Sequence, residues 1–161
     1  MLIIGYQGIG KSTTVKTTPG KYIDLESTCF YTENGTRPND WYVYYCNTAL
    51  DLSKQGYDVF VSSHNCVQEY LSKHIKNDYL IAIVPSIDLK EQWIERLYNR
   101  YLFNSSDKNY RAWKNAEDCY IKNITSIYNN KFLFNDIITL DSLEYNLDGI
   151  IFSWKYHNFI K

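Results

Sequence analysis

The chain has 161 residues, 45% of them apolar and 17% aromatic, which suits one domain with a buried core and is too short for two. Seventeen basic and eighteen acidic side chains give a formal net charge of −1, so the chain lacks the positive surplus with which proteins bind long nucleic acids. No apolar stretch approaches the roughly 18 residues that span a bilayer, and no export signal is recognisable, so we expect a cytoplasmic protein with no membrane partner.

Strand and helix patterns alternate along the chain. The predicted strands are Leu2–Ile4, Lys21–Leu25, Val59–Ser62, Tyr79–Val84 and Asp136–Leu140. The first predicted helix begins near Lys11; the others are residues 41–54 with Asp40 as N-cap, Asn65–Lys76, Asp88–Tyr101, Arg111–Tyr128 and Leu147–Phe159. Ser27–Asn39 and Asn104–Asn109 have the composition of loops. This alternation predicts a single α/β domain over residues 1–161, with a parallel sheet covered on both faces.

The turn after the first strand carries the most specific motif. Residues 5–12 read GYQGIGKS and match the pattern G-x-x-x-x-G-K-[ST] at every fixed position. Such a turn curls its backbone N–H groups around a polyphosphate, while the lysine neutralises the β- and γ-phosphates and the serine hydroxyl ligates Mg²⁺. The predicted site for ATP and Mg²⁺ comprises Gly5, Tyr6, Gln7, Gly8, Ile9, Gly10, Lys11, Ser12 and Thr13.

Two acidic residues follow the second predicted strand, in the segment Ile23-Asp24-Leu25-Glu26-Ser27. Neither the third nor the fourth predicted strand ends in an acid, and no Asn-Lys-x-Asp segment follows a late strand, which disfavours motor ATPases and GTPases. Because strand ends face the ligand crevice in such sheets, Asp24 could orient the acceptor or hold the Mg²⁺ water shell, and Glu26 could help. The alternative is that both are solvated loop acids.

Basic residues cluster late in the chain. Arg96 and Arg100 are four residues apart on one predicted helix, and Lys108 and Arg111 follow soon after. Arginines in such a place can stabilise the charge of a phosphoryl group in transfer. The alternative is that they are solvated and paired with Glu95 or Asp88. His64, just past the third predicted strand, could bind an acceptor or a phosphate, or be purely structural.

Together, the phosphate-loop motif, Asp24, the Ser62-Ser63-His64 segment and the Arg96/Arg100 helix resemble the small P-loop kinases. That group includes the nucleoside monophosphate, shikimate and gluconate kinases, and the likeness is greatest to small phage-encoded members. The resemblance implies a three-layer fold with a five-stranded parallel sheet of order 2-3-1-4-5, and a short lid over residues 101–111.

The resemblance also implies functional roles for individual residues. Lys11, Asp24, Arg96 and Arg100 would be catalytic, and Ser12 with Asp24 would hold the metal. The implied acceptor-binding residues are Asp24, Glu26, Ser27, His64, Lys108 and Arg111. The adenine would lie near Asp141 and Ser142.

The sequence therefore predicts an ATP-dependent phosphotransferase acting on a small acceptor, with a nucleoside or nucleotide favoured. The alternatives are a kinase of a non-nucleotide metabolite, a polynucleotide 5′-end kinase, and a nucleotide-binding regulator without turnover. We expect a monomer or homodimer, located in the host cytoplasm if the protein is encoded by a phage.

Overall fold

A computed structural model describes residues 1–159 and contains a single five-stranded sheet. Its strands are β1 (Leu2–Gly5), β2 (Tyr22–Asp24), β3 (Asp58–Val61), β4 (Leu80–Pro85) and β5 (Asp136–Leu140). All pairings are parallel and the order is β2-β3-β1-β4-β5, which confirms the predicted topology. The three-layer P-loop fold is therefore established.

The centre of the sheet forms the core. Every residue of β1, β3 and β4 is buried, as expected of parallel strands covered on both faces. Leu2 lies opposite Val59 of β3 on one side and Leu80 of β4 on the other, so β1 is the central strand between β3 and β4. Because all strands run in one direction, the chain segments that follow β1, β2 and β3 emerge at the same edge of the sheet.

Within residues 1–159, six α-helices cover the two faces. They are α1 (Lys11–Thr17), α2 (Trp41–Lys54), α3 (Asn65–His74), α4 (Lys90–Phe103), α5 (Asp107–Asn129) and α6 (Leu147–Phe159). Most ends agree with the predictions to within about two residues, and Asp40 occupies the N-cap position of α2 without a capping side-chain hydrogen bond. Within residues 1–159 no helix is both long enough and apolar enough to cross a membrane.

The segment predicted as a lid is largely helical. Helix α4 continues to Phe103 and α5 begins at Asp107, so only residues 104–106 connect them and the prediction of a turn up to Asn109 is wrong. Ser106 explains the early start of α5, because its hydroxyl accepts a hydrogen bond from the backbone N–H of Asn109. Aromatic contacts between the two helices, such as Tyr101 against Tyr110 at 5.6 Å, show that they pack as an antiparallel hairpin.

Candidate active site

The turn between β1 and α1 presents a concave set of unsatisfied N–H groups. Within residues 1–159, the N–H groups of Gly8 and Gly10 and of the first three residues of α1 have no hydrogen-bond partner; the first helical bond runs from Thr14 to the Gly10 carbonyl at 2.9 Å. Five donors around one turn make a site for an anion with several oxygens. The N–H of Tyr6 is instead donated to the Ile83 carbonyl at 3.1 Å.

The glycines of this phosphate loop (residues 5–13) are required for two reasons. Gly8 and Gly10 have φ values of 84° and 92°, which side-chain-bearing residues rarely adopt. Gly5 is needed for space, because a Cβ there would lie 2.7 Å from Cδ of Lys11. The sequence pattern therefore follows from the backbone path and from the course of the lysine side chain.

Lys11 folds back over the loop. Its ammonium donates to the carbonyls of Gly5 at 2.9 Å and Tyr6 at 3.2 Å, which leaves one of its three donors for a ligand. Burial lowers the pKa of Lys11, while the nearby carboxylates of Asp24 and Glu26 oppose that shift.

Ser12 and Asp24 meet at the edge of the sheet. The Ser12 hydroxyl donates to Oδ2 of Asp24 at 2.7 Å, and both line a surface groove of about 390 Å³ beside Glu26. No group of three or more His, Cys, Asp or Glu side chains suited to a metal occurs among the described residues. Two adjacent oxygen ligands nevertheless suit Mg²⁺, which usually keeps several waters and takes further oxygens from the phosphates of its nucleotide.

Helix α4 is fixed to the phosphate loop by two buried residues. Trp93 Nε1 donates to the Gln7 carbonyl at 3.0 Å, and a Cβ on Gly8 would meet Leu97 at 2.9 Å. Arg96 and Arg100 each lie three residues after one of these anchors. The charge of Arg100 acts on Lys11, so α4 holds the Arg100 guanidinium near the loop.

The two α4 arginines have different surroundings. Arg96 donates to the Leu143 carbonyl at 3.3 Å and lies near the rings of Trp93 and Tyr145, so it faces the segment between β5 and α6 where the adenine was expected. Arg100 is partly buried and its Nε has no hydrogen-bond partner within residues 1–159. Burial and then the charge of Arg96 lower the pKa of Arg100, yet a guanidinium stays charged at neutral pH.

An ion pair joins the helical hairpin to the far side of the phosphate loop. Lys108, in the first turn of α5, contacts the carboxylate of Glu26 beyond β2. Both side chains are about half exposed, so the pair contributes roughly 0–1 kcal/mol to stability and is weakened by salt. Because this ion pair is weak, a charged ligand can replace one of its partners.

A second polar group follows β2 and β3, and we call it the Arg37 cluster (Ser27, Tyr31, Arg37, Trp41 and His64). The Arg37 guanidinium donates to Ser27 Oγ at 3.1 Å and to His64 Nε2 at 3.0 Å. It also lies over the rings of Tyr31 and Trp41, at 4.1 and 4.3 Å from their centroids. This arginine was missed at the sequence level because it stands alone in a loop.

The state of His64 follows from its partners. A guanidinium can only donate, so Nε2 of His64 accepts from Arg37 and Nδ1 carries the proton, which it donates to Ser62 Oγ at 2.9 Å. Partial burial of the ring, followed by the Arg37 charge, lowers the pKa of His64 to about 4. At neutral pH His64 is therefore an uncharged support for Arg37, with no free nitrogen to take a proton.

Tyr45 connects the two strand ends that carry this cluster. Its hydroxyl donates to the Leu25 carbonyl at 2.7 Å and accepts from the Ser62 N–H at 2.8 Å. The ring packs against Phe30 and Trp41, which are 5.9 and 5.5 Å away between centroids. A buried bond of this kind sets the spacing between the loop after β2 and the loop after β3.

Arg111 approaches the same cluster from the hairpin. Its guanidinium lies 4.8 Å from the centroid of the Tyr31 ring, so Tyr31 contacts one arginine from its own loop and one from α5. The structure thus brings together the candidate residues in two groups. Near the phosphate loop are Lys11, Ser12, Asp24, Glu26, Arg100 and Lys108; Ser27, His64 and Arg111 belong with Arg37.

Comparison with known proteins adds information on the fold. No protein-family model and no curated protein matches the chain. Among solved structures, a shikimate kinase from Bacteroides thetaiotaomicron is similar with a TM-score of 0.55 at 13% identity, over 97% of this chain and 96% of that one. An uncharacterized protein from Eubacterium ventriosum ATCC 27560 has a TM-score of 0.51 at 11% identity, over 99% and 98% of the two chains. At these identities the likeness shows a P-loop kinase-like fold alone.

Proposed function

We propose that this protein is an ATP-dependent phosphotransferase that moves the γ-phosphoryl group to a small acceptor, with a nucleoside or nucleotide favoured. The observation that carries the proposal is the phosphate loop, where the N–H groups of Gly8, Gly10 and the first three residues of α1 have no partner within residues 1–159. Lys11 lies there beside the Ser12–Asp24 pair. The fold shared with a shikimate kinase is consistent with this reaction. The likeness to phage-encoded kinases and the cytoplasmic location stay predictions.

Donor binding would rest on backbone donors. The free N–H groups of the loop would bind phosphate oxygens, and the remaining donor of Lys11 would reach the β- and γ-phosphates. Ser12 and Asp24 would hold Mg²⁺, which when bound neutralises charge that develops on the phosphate oxygens. Arg96 would lie at the base end of the nucleotide, since it contacts the segment after β5.

Phosphoryl transfer needs positioning and charge stabilisation more than covalent chemistry. Arg100 is suited to stabilise the transferred group, because it is partly buried beside the loop and forms no ion pair with a carboxylate within residues 1–159. Asp24 would orient the acceptor hydroxyl, whereas His64 is not suited to take its proton because Arg37 occupies Nε2. Hinge motion of the hairpin, with exchange of the Glu26–Lys108 pair, would exclude water from the site.

A kinase acting on a non-nucleotide alcohol is the second candidate, because one of the proteins with this fold is a shikimate kinase. A polynucleotide 5′-end kinase fits less well, since a net charge of −1 gives no surplus of positive side chains to bind the phosphates of a nucleic-acid strand. A nucleotide-binding regulator would bind the triphosphate without transfer.

Labelled ATP and a panel of acceptors test the proposal. The panel contains nucleosides, nucleoside monophosphates, shikimate, gluconate and a 5′-hydroxyl oligonucleotide, each with Mg²⁺. We expect label transfer to one member of the small-molecule set. Transfer to the oligonucleotide alone would favour the end kinase, and nucleotide binding with no transfer to any acceptor would favour the regulator.

A further inference from the structure

Helix α6 is apolar on two opposite faces. The residues of its inner face are buried in the core: Leu147, Ile151 and Trp154. The outer face carries three aromatic residues, Phe152, Tyr156 and Phe159, which we call the α6 stripe because this spacing places them on one side of the helix. They remain 62%, 53% and 45% exposed. A helix that is apolar all round is normally covered all round, so the α6 stripe is suited to a partner.

The charged side chains of α6 point away from the stripe. Asp148 accepts a hydrogen bond from the Tyr22 hydroxyl at 2.7 Å and forms an ion pair with Lys21. Lys155 donates to Oδ1 of Asp58 at 2.7 Å, and the Asp58 carboxylate is almost fully buried. Because α6 has no other acidic side chain, lysine or arginine, its outer face neither attracts a charged partner nor repels a copy of itself.

The outer face of α5 shows the contrast with an ordinary solvated helix. Around the exposed Ile121 it presents three exposed charged residues: Glu117, Asp118 and Lys122. Charged residues are typical of a helix face that stays in water. The exposed polar side chains beside the α6 stripe are instead a hydroxyl, an imidazole and an amide, from Ser153, His157 and Asn158. The lack of charge therefore distinguishes this face of α6 from the face of α5.

The area of the α6 stripe is suited to a small interface. Full burial of an aromatic side chain removes about 150–250 Å² from water, so the exposed parts of three rings amount to roughly 250–400 Å². Two such stripes face to face would remove about 500–800 Å² of apolar surface. Specific interfaces bury about 1,200 Å² or more in total, with an apolar centre and a polar rim, so two α6 stripes can supply the centre.

We propose that two copies of this chain associate through the α6 stripe, with the two helices packed against each other about a two-fold axis. Such a contact pairs the same surface on both copies and is complete with two chains. Tyr156, in the middle of the stripe, would lie near the axis. Phe159 packs on Tyr79, 4.7 Å away between ring centroids and directly before β4, at the sheet edge opposite the phosphate loop. The dimer would therefore leave both phosphate loops open, and it does not depend on the proposed function.

Sedimentation velocity over a range of protein concentrations tests this proposal. We expect single chains in dilute solution and dimers in concentrated solution, with a Kd on the order of 10 µM, because the interface is small and has no ion pair at its centre. The midpoint of thermal unfolding should rise with protein concentration, since association stabilises the folded chain by mass action. This second measurement needs no variant.

Variants assign the association to α6. Phe152→Lys and Tyr156→Lys replace exposed rings by a good helix former whose charge suits the C-terminal half of a helix, so each variant should fold. Each should raise the Kd of the dimer about tenfold or more, because a ring is lost and two lysines approach the axis. Phe132→Lys removes a ring exposed outside α6 and adds the same charge, so it is the matched control and should leave the Kd unchanged. Circular dichroism confirms that each variant is folded.

The alternative occupants of the α6 stripe give different results. Single chains at every concentration, with an unfolding midpoint independent of concentration, overturn the proposal. A dimer weakened by Phe103→Lys, at the exposed tip of the α4–α5 hairpin, and unaffected by both α6 variants also overturns it. Species that keep growing with concentration indicate a head-to-tail contact and contradict a two-fold axis. Single chains that bind phosphatidylcholine vesicles, and lose this binding in Tyr156→Lys, would assign the stripe to a lipid surface instead.

Discussion

The phosphate loop and the Arg37 cluster lie at the same edge of the sheet and are built in opposite ways. The phosphate loop is one continuous segment of nine residues that offers mainly backbone N–H groups. The Arg37 cluster draws side chains from the loop after β2, the first turn of α2 and the segment between β3 and α3, and Arg111 reaches it from α5. One site is defined by a local backbone path and the other by tertiary packing.

This difference explains why the phosphate loop could be predicted from the sequence and the Arg37 cluster could not. A backbone nest imposes glycines at fixed spacing, whereas a side-chain cluster imposes only residue types at positions that the fold brings together. Changes in the phosphate loop should therefore affect transfer to every acceptor alike. Changes in the Arg37 cluster should affect acceptor recognition and leave donor binding intact.

The largest effect is expected from Lys11→Ala. It removes the ammonium beside the phosphates, so phosphoryl transfer should fall by a factor of about 10³ or more with every acceptor. Lys73→Ala, which removes an exposed lysine from the last turn of α3, is the matched control and should keep nearly full activity. Retained transfer in folded Lys11→Ala, measured with labelled ATP, would contradict the role assigned to this residue.

The next effect separates the two α4 arginines. Arg100→Gln should lower kcat by about 10²-fold with little change in the KM for ATP, because its charge serves the transferring group. Arg96→Gln should mainly raise the KM for ATP, because Arg96 lies beside the segment after β5. Steady-state kinetics of both variants test these two roles. A raised KM for Arg100→Gln with a lowered kcat for Arg96→Gln would contradict them.

A smaller effect is expected on stability. Gly8→Ala combines a positive φ with a contact of 2.9 Å to Leu97, so unfolding should become easier by about 2–4 kcal/mol. Gly20→Ala has a φ of 82° with nothing within 4 Å of its Cβ, so it should cost only about 1–2 kcal/mol. Denaturant unfolding measures both. Equal losses would show that α4 does not press on the loop.

The smallest and most local effect concerns the protonation of His64. Its ring resonances should titrate at a pKa of about 4, since burial and the Arg37 charge both favour the neutral form. The unfolded chain takes up this proton near the ordinary pKa of 6.5, so the contribution of His64 to stability falls as the pH drops from 6.5 toward 4. Arg37→Gln should raise the pKa toward 6.5, as followed by NMR. An ordinary pKa in the unaltered protein would show that Arg37 and His64 are not in contact.

Much of the fold was predictable because strand and helix periods are local. Tyr79–Val84 was recognised as a buried strand within one residue of β4, and the order of the sheet followed from the resemblance. The α4–α5 hairpin was not predicted, because the polar residues 104–109 have the composition of a loop. Three of these residues nevertheless form the start of α5, which Ser106 caps. Tertiary packing of aromatic residues stabilises that helix start, and no local pattern reports it.

The site was predictable only in part for the same reason. Lys11, Ser12 and Asp24 were named, and the structure places them together. Arg37 was not named, because its partners Ser27 and His64 lie 10 and 27 positions away in the chain. Only the pairing of β2 with β3 brings these residues close together.

The central claim is that residues 5–13 bind the phosphates of a Mg²⁺-bound nucleoside triphosphate. Titration calorimetry with a Mg²⁺-bound non-hydrolysable ATP analogue tests it most directly. We predict one site per chain, with binding that is lost or greatly weakened in Lys11→Ala and preserved in Lys73→Ala. No heat with this analogue or any other Mg²⁺-bound triphosphate, from protein that circular dichroism shows to be folded, would contradict the account.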